Sequence, residues 1–460
     1  MKISRILLYG GIVISYFILL HIFFPALISS GVKNAIDNFF LNPLLYWWFI
    51  FPLIGLIFLF GLLVYYGIHC LASFGSGYQV ESPFYEDISI LIASKDEKHL
   101  LKRTLESIVN SNYPKENIQI IVITSGSSDG SSDLCERFAQ NHPDVEIVVL
   151  SEKLSKKGKP PALNYGLKYV KNEIVVLYDT GCILQPDTLK NLISPFQQEQ
   201  NNAVIGPVLV KNWKENLLTR AIMLDYSIIS GGGIAFEIKN RLGSSAYSYG
   251  RNFAVRTKYL KKYGGFNEDS LTEDLYLCVL LNLDDVNIRY SPEAKIYEYV
   301  PSTWNILVKQ RTRWLAGYVF DMPQLMEMEK NNKSGKSIII SRNMTMMLLG
   351  NLDTWTPIVI GFCFLFFFVG EFYLFSWAIS CLIFHFIFIF NAIRKYADKH
   401  YSLFFLFFLS GYIHLYMFLR QFRLPDPAEM SWEKTPMLFQ KEKEEIKAIS
   451  AKIKQTKQKS

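Results

Sequence analysis

Two short segments in the second half of the chain combine side chains suited to proton transfer and anion binding. Thr272-Glu273-Asp274 places two carboxylates side by side, and a carboxylate can take the proton from a hydroxyl group as it attacks. The segment Gln310-Arg311-Thr312-Arg313-Trp314 puts Gln310, Arg313 and Trp314 on one face of a predicted helix. There a cation can meet a phosphate and an indole ring can stack on a sugar. The alternative roles are helix capping and membrane-surface contact.

Further carboxylates follow the predicted strands of the first half. Asp96 and Glu97 come just after residues 88–93, and Asp129 lies in the Gly- and Ser-rich loop 124–130. Small residues let a backbone approach a ligand closely, and the amides that open the next helix can meet an anion. Helix capping is the alternative role for these carboxylates. The pattern therefore indicates an anion-binding edge, without fixing which of them contact the ligand.

Lys159 and Asp179 extend this edge. Lys159 can meet a diphosphate as a point charge, and Asp179 follows the strand predicted at 174–178. Two carboxylates one residue apart in a turn can share a divalent cation, but Gly181 occupies the second position. Either Mg²⁺ or Mn²⁺ is bound with Asp179 as the remaining carboxylate, or another group takes the place of the metal.

The elements that must position these side chains alternate between strand and helix patterns. Strands are predicted at 88–93, 118–124, 145–150 and 174–178, with helices at 99–110, 131–140 and 162–170. Such alternation predicts an α/β domain with a doubly wound, largely parallel sheet. Ligands of such sheets bind at the carboxyl ends of the strands, where the polar residues above lie.

Both ends of the chain are strongly apolar. Half of the 460 residues are apolar and 15% are aromatic, which is high for a soluble protein. Spanning segments are predicted at residues 6–28, 46–72, 354–369, 372–390 and 403–418. This composition predicts a multi-pass membrane protein.

The remaining features of the composition narrow the class of protein. Lys2 and Arg5 precede the first apolar run, as in a signal peptide, but the run exceeds the roughly 7–15 residues of such a core, which favours an uncleaved anchor. The six cysteines are scattered, without the spacing of a zinc site or a disulfide framework. The net charge of +7 owes much to the lysine-rich tail, which is typical of a solvated helix face or of contact with anionic lipid. No nucleic-acid partner is predicted.

Topology follows from the basic residues. A cytosolic central domain places Lys2 and Arg5 on the same side of the membrane, as the positive-inside rule prefers. Three C-terminal crossings would then export the basic tail, against the same rule. One of the three segments is therefore expected to lie in the interface or to re-enter.

Taken in order along the chain, these segments resemble the motifs of the polysaccharide-synthase branch of family 2 glycosyltransferases. The matching segments and family patterns are 92–97 for P-A-x-N-E, 124–130 for D-D-G-S-T-D-G, 158–164 for G-K-x-x-A-L-N, 179–181 for D-x-D, 250–256 for G-x-N-x-A-F-R, 272–274 for T-E-D and 310–314 for Q-x-x-R-W. Lys95, Thr124, Ser125 and Gly181 depart from these patterns. Because Thr124 and Ser125 replace two aspartates, one of which reads uracil in the family, the donor base stays open.

The resemblance implies a Rossmann-like GT-A catalytic domain inserted between transmembrane helices. The expected organisation is two N-terminal spans, a cytosolic GT-A domain, amphipathic interfacial helices, a C-terminal membrane region and a polar tail, at 1–80, 81–300, 301–340, 341–423 and 424–460. The protein would then be a multi-pass protein of the cell membrane. Its oligomeric state is not predicted.

By resemblance, each candidate residue takes a role in the transfer of a sugar. Asp274 is the general base, in a catalytic motif with Thr272 and Glu273. Donor-binding residues are Asp96, Glu97, Asp129, Lys159, Asp179, Gln310, Arg313 and Trp314. Asn252 and Trp314 lie on the acceptor side, and Asp179 is the metal ligand.

These roles imply an inverting membrane glycosyltransferase. It would use a nucleotide sugar, with UDP as the expected carrier, to extend a β-linked polysaccharide and pass it across the membrane. The alternative is transfer of a single sugar to a lipid acceptor such as a polyprenyl phosphate or glycolipid. A third hypothesis, prompted by Thr124, Ser125 and Gly181, is a non-catalytic family member.

Overall fold

The computed structural model describes residues 2–23, 30–43, 45, 50–75, 82–156, 158–331 and 352–425. The predicted tail at 424–460 lies almost entirely outside these ranges. So do parts of the first two predicted spans, at 24–28 and 46–49, and the end of the predicted interfacial region, at 332–340.

The central domain begins with the strand–helix alternation that the sequence predicts, with boundaries shifted by a few residues. Its first elements are β1 (Ile88–Ala93), α4 (Lys98–Val109), β2 (Ile118–Ile123), α5 (Ser131–Asn141), β3 (Glu146–Leu150), α6 (Lys159–Leu167) and β4 (Ile174–Leu177). Strands β1, β2 and β4 are almost completely buried, because helices cover both faces of the sheet. Burial on both faces explains why these strands read as continuous apolar runs.

Shorter elements complete the domain. They are β5 (Ile183–Leu184), α7 (Thr188–Ile193), β6 (Ala203–Ile205), β7 (Val208–Val210), α8 (Leu217–Asp225), a π-helical turn (Tyr226–Ser230), α9 (Ile234–Arg241), β8 (Phe253–Arg256), α10 (Thr257–Lys262), α11 (Glu273–Leu283), β9 (Arg289–Tyr290), β10 (Ile296–Glu298) and α12 (Trp304–Asn331).

One mixed sheet forms the centre of the domain. Its strand order is β3-β2-β1-β4-β8-β6-β9. Strands β3, β2, β1 and β4 are parallel, whereas β8 runs antiparallel to both of its neighbours. A small second sheet has the order β5-β10-β7. The carboxyl ends of β1, β2 and β4 therefore meet at one edge, and the loops after them carry the predicted polar residues.

Helices, all of them apolar except α2, flank this domain in the sequence. They are α1 (Lys2–Phe23), α2 (Ser30–Leu41) and α3 (Ile50–Ser73) before it, and α13 (Leu352–Val369), α14 (Phe372–Tyr396) and α15 (Phe407–Arg420) after it. Helix α14 packs along α3 and α13, and α13 also packs on α15. The apolar core runs without interruption from the sheet into α3 and α14. The helices and the domain therefore share one core.

Among the described residues, four helical stretches are long and apolar enough to cross a membrane: Ile54–Ser73, Leu217–Arg241, Phe372–Tyr396 and Tyr401–Arg423. The stretch Leu217–Arg241 does not correspond to a predicted span. It consists of α8, the π-helical turn and α9, and it is almost entirely buried between the sheet and the other helices. Its apolar character thus has a packing explanation.

Candidate active site

A buried lysine joins three elements at the edge of the sheet. Lys159, the first residue of α6, places its Nζ 2.6 Å from Oδ1 of Asp179 and 3.2 Å from Oε1 of Glu273. It also donates to the carbonyl oxygen of Gly250 at 3.2 Å. Burial alone would lower the pKa of Lys159, but the carboxylates of Asp179, Glu273 and Asp274 outweigh it and raise that pKa above its usual value. The ammonium therefore stays charged.

Asp274 lies in the first turn of α11, next to this cluster. Burial, followed by the like charge of Glu273, raises the pKa of its carboxyl to about 7, against the opposing effect of Lys159. A carboxylate with a pKa near neutrality is well matched to accepting a proton at physiological pH. Asp274 is thus chemically suited to the role of general base.

Gly250 lets the loop before β8 approach this cluster. It has a φ of +72°, and a Cβ at this position would lie 2.8 Å from Nζ of Lys159 and 3.2 Å from Oδ2 of Asp274. A side chain here would be strained by the backbone and would displace the charged groups. The glycine of the 250–256 segment is therefore required by close approach.

A further carboxylate, which was not predicted from the sequence, fixes the loop before α11. The hydroxyl groups of Ser270 and Thr272 both donate to Oδ2 of Asp321 on α12. Burial raises the pKa of Asp321 to about 6. Thr272 therefore ties the 272–274 segment to α12. Trp314 and Asp321 are two helical turns apart, and this spacing could have indicated that both side chains lie on one face of α12.

Most of the predicted site residues line one cavity of about 770 Å³. Those that the structure brings together there are Glu97, Lys159, Asp179, Thr272, Glu273, Asp274, Gln310, Arg313 and Trp314. The same cavity continues along side chains of the flanking helices, including Tyr65 of α3, Phe388 of α14 and Phe418 of α15. The site thus reaches from the sheet edge into the helix bundle.

Arg251 and Glu298 form part of the wall and were also missed. Nη2 of Arg251 donates to Oε1 of Glu298 at 2.7 Å, and the hydroxyl of Tyr226 donates to the same oxygen at 2.7 Å. Both ion-pair partners are buried. Because each satisfies the other, the pair gives the cavity a rigid polar wall without an unpaired charge.

Three predicted residues lie away from the cavity lining. Oδ1 of Asp96 accepts from the backbone N of Ser128 at 2.7 Å. Asp129 accepts from the backbone N of Lys98 at 2.8 Å and of Ser131 at 3.0 Å, which caps α4 and α5. These contacts join the loops after β1 and β2 to each other.

Asn252 is the third of these residues. It is completely buried, and its Nδ2 donates to the carbonyl oxygens of Pro207 and Ala294 at 3.1 and 2.7 Å. Its backbone φ is +53°, a conformation that asparagine tolerates better than most residues. In this arrangement Asn252 connects three segments of the domain.

The two hydroxyl residues that replace the family's aspartates contact other parts of the protein. Oγ1 of Thr124 lies 2.8 Å from Oγ of Ser132, and Oγ of Ser125 accepts from the backbone N of Leu154 at 2.9 Å. Both side chains thus stabilise the loop after β2.

The arrangement at β4 does not fit a divalent-cation site with two adjacent carboxylates. Gly181 has a φ of +97°, and its N–H donates to Oγ1 of Thr104 at 2.9 Å. Asp179 is bonded to Lys159, and the described part of the chain holds no group of three side chains able to ligate a metal.

The sheet order and the carboxylate site at its edge define a GT-A glycosyltransferase domain. The chain belongs to the family described as "Glycosyltransferase like family 2", which matches residues 86–317. The predicted family and fold class are thereby confirmed.

Similar proteins include polymer and glycolipid synthases. The chain is 30% identical over 234 residues to "Probable glycosyltransferase YdaM" of Bacillus subtilis (strain 168) and 31% identical over 234 residues to the poly-beta-1,6-N-acetyl-D-glucosamine synthase of Staphylococcus epidermidis; each match covers 50% of this chain and 54% of the relative. It is 29% identical over 271 residues to the beta-monoglucosyldiacylglycerol synthase of Trichormus variabilis, and this match covers 57% of this chain and 56% of the relative. The chain thus spans about half the length of these relatives.

A solved structure shares the fold. The mannosyltransferase PcManGT from Pyrobaculum calidifontis, solved with GDP-Man and Mn²⁺, aligns with a TM-score of 0.51 at 16% identity. The alignment covers 80% of this chain and 96% of that one.

Proposed function

We propose that this protein is an inverting glycosyltransferase that moves a sugar from a nucleotide donor to a hydroxyl group of an acceptor. The observation that carries the proposal is the position of Asp274. Its carboxyl has a pKa raised to about 7 and lines the same cavity as Lys159 and Trp314. A base, a cation and an aromatic ring around one cavity are what sugar transfer requires.

In this mechanism Asp274 accepts the proton of the acceptor hydroxyl while the oxygen of that hydroxyl attacks the anomeric carbon of the donor sugar. The new C–O bond forms opposite the breaking bond, so the configuration inverts and the nucleoside diphosphate leaves with the bonding electrons. Lys159 and Arg313 offset the negative charge that develops on the diphosphate. Trp314 stacks on a sugar ring and orients it.

We propose a polysaccharide as the product, made from a UDP-sugar at the cytosolic face of the cell membrane and passed outward. The similarity to a poly-beta-1,6-N-acetyl-D-glucosamine synthase and the continuation of the cavity between α3, α14 and α15 support this. Membrane lipid surrounds the apolar helices in this proposal.

A lipid acceptor is the second candidate. Apolar side chains of α14 and α15, among them Phe388, Ile413 and Met417, line the far part of the cavity and suit an acyl or prenyl tail. The similarity to a beta-monoglucosyldiacylglycerol synthase also favours it.

The test uses the full chain in detergent. We expect one of a panel of nucleotide sugars to raise its melting temperature, measured with and without Mn²⁺ or Mg²⁺. With that donor, a product of high mass supports the polymer, whereas a single lipid-linked sugar supports the second candidate. Asp274→Asn is expected to lower transfer by about 10²- to 10⁴-fold and to keep donor binding.

Asp269→Asn is the matched control, because Asp269 is an exposed carboxylate in the preceding loop. Full transfer by Asp274→Asn would refute the assigned base. Failure of every nucleotide sugar to bind or react would refute the activity itself.

A further inference from the structure

Arg311 makes the most extensive side-chain contacts of the 310–314 segment. Its Nη2 lies 2.6 Å from Oδ2 of Asp225, and its Nη1 donates to Oγ of Ser230 at 2.7 Å. Ser230 donates in turn to Oδ1 of Asp225 at 2.8 Å, and Nε2 of His414 lies 2.6 Å from the same oxygen. The Asp225 side chain is completely buried. We call Asp225, Ser230, Arg311 and His414 the arginine clamp.

The other side of the Arg311 guanidinium faces an aromatic ring. Its Cζ lies 4.8 Å from the centroid of the Trp314 ring and 6.0 Å from that of Tyr226. A guanidinium over an indole face is attracted by the ring quadrupole, and the attraction grows when both groups are shielded from water. The clamp holds the Arg311 guanidinium in one orientation. Because the Trp314 indole lies against this guanidinium, its orientation is restrained as well.

The clamp also joins elements far apart in sequence. Asp225 ends α8 and Ser230 ends the π-helical turn, an element often found at functional sites. His414 belongs to the apolar helix α15. A second contact ties the same helices, because Nε of Arg420 on α15 donates to Oγ1 of Thr312 at 2.9 Å. A shift of α15 would therefore reach the Trp314 ring through Arg311.

We propose that Arg311 is a positioning residue that sets the orientation of Trp314 for the acceptor sugar, and that α15 acts on this orientation through His414 and Asp225. The inference rests on the proposed sugar transfer. It assigns roles to residues outside the Gln310, Arg313 and Trp314 face that the motif resemblance singles out. The acceptor subsite is thus coupled to a helix that lines the cavity deep in the bundle.

The chemistry of the clamp requires arginine. A planar guanidinium can bond a carboxylate and a hydroxyl while stacking on a ring, whereas a lysine ammonium is a single point charge. Arg311→Lys keeps the charge beside Asp225 and so avoids leaving that buried carboxylate without a cation. It loses the planar contact with Trp314.

The experiment is a double-mutant cycle on the full chain with Arg311→Lys, Trp314→Leu and the double variant. We expect Arg311→Lys to raise the acceptor KM about fivefold, with kcat and the donor-induced rise in melting temperature little changed. In the Trp314→Leu background the same change should have almost no further effect, because leucine offers the guanidinium no ring. Arg220→Lys, an exposed arginine of α8, is the control.

A purely structural role gives a different result. It would lower kcat, donor-induced stabilisation and melting temperature together, and the effects of Arg311→Lys and Trp314→Leu would add; that outcome overturns the inference. A second cycle with His414→Gln and Trp314→Leu tests the same coupling if Arg311→Lys does not fold. Additive effects there overturn it equally.

The proposed function is tested separately by the parent protein. If the parent transfers no sugar from any nucleotide donor, both proposals fall. If the parent is active and the effects in the cycle are additive, only the proposed role of the arginine clamp is refuted.

Discussion

In the proposed function the candidate site has a donor end and an acceptor end, and the two ends use their polar side chains differently. At the donor end, Asp96, Asp129, Thr124 and Ser125 bond mostly to backbone and hydroxyl groups of neighbouring loops. At the acceptor end, the carboxylates of the 272–274 motif face cations and the cavity. The polar side chains of the loops after β1 and β2 thus stabilise the backbone, whereas the charged groups proposed for the transfer lie in the cluster around Lys159.

The physical basis of this difference is the sign and number of the charges. Lys159 is the single ammonium within 4 Å of Asp179 and Glu273 among the described residues. With Asp274 beside them, the cluster has more carboxylates than cations, so one carboxyl retains its proton more readily than usual. The donor-end side chains have no such excess and serve as hydrogen-bond partners.

Removing the cation should have the largest effect. In Lys159→Met the developing charge of the diphosphate loses its partner, and we expect transfer at pH 7 to fall by about 10²-fold or more. The pKa of Asp274 should also rise, because Lys159 opposes its increase. Initial rates against pH measure both effects, with Lys168→Met, an exposed lysine directly after the same helix, as the control. A rate close to that of the parent would contradict the proposed difference between the two ends of the site.

Changing the neighbouring carboxylate should shift the pH profile. Asp274 acts when deprotonated, so activity should rise with pH through an apparent pKa of about 7. In Glu273→Gln a like charge is removed, which lowers the pKa of Asp274 and moves this rise toward acid by about one pH unit. The measurement is kcat/KM for the acceptor between pH 5 and pH 9. A shift in the alkaline direction would contradict the assignment.

Neutralising the base should stabilise the folded protein. The pKa of Asp274 is higher in the folded chain than the value of about 3.9 in an unfolded one, so the folded state loses stability as pH rises through about 7. Asp274→Asn removes this cost. We expect its melting temperature to exceed that of the parent by about 2–4 °C at pH 8 and by much less at pH 4.5. An equal gain at both values would point to another cause.

The smallest effect is expected at the donor end. Ser125→Ala removes the acceptor for the N–H of Leu154, a loss of about 1 kcal/mol in folding free energy. The ratio of affinities for UDP- and GDP-sugars should change by less than about threefold. Thermal shifts with the two donors measure it. A larger change in that ratio would instead indicate that Ser125 contacts the base.

The sequence predicted the first four strands well because buried parallel strands are continuous apolar runs between turns. Strand β1 was predicted at its observed limits, Ile88–Ala93. The short strands β5 to β10 were not predicted, since two to four residues carry no clear periodic signal. The stretch Leu217–Arg241 was not predicted either, because its apolar composition reflects burial rather than one regular helix.

The sequence by itself determined the family and a candidate base, because both follow from residue types at fixed spacings. Tertiary structure decided which of the residues meet. It placed Lys159 between Asp179 and Glu273, set Asp129 and Asn252 to structural contacts, and added Asp225, Asp321 and His414. Contacts between residues far apart in the chain depend on how elements pack, and no local pattern records them.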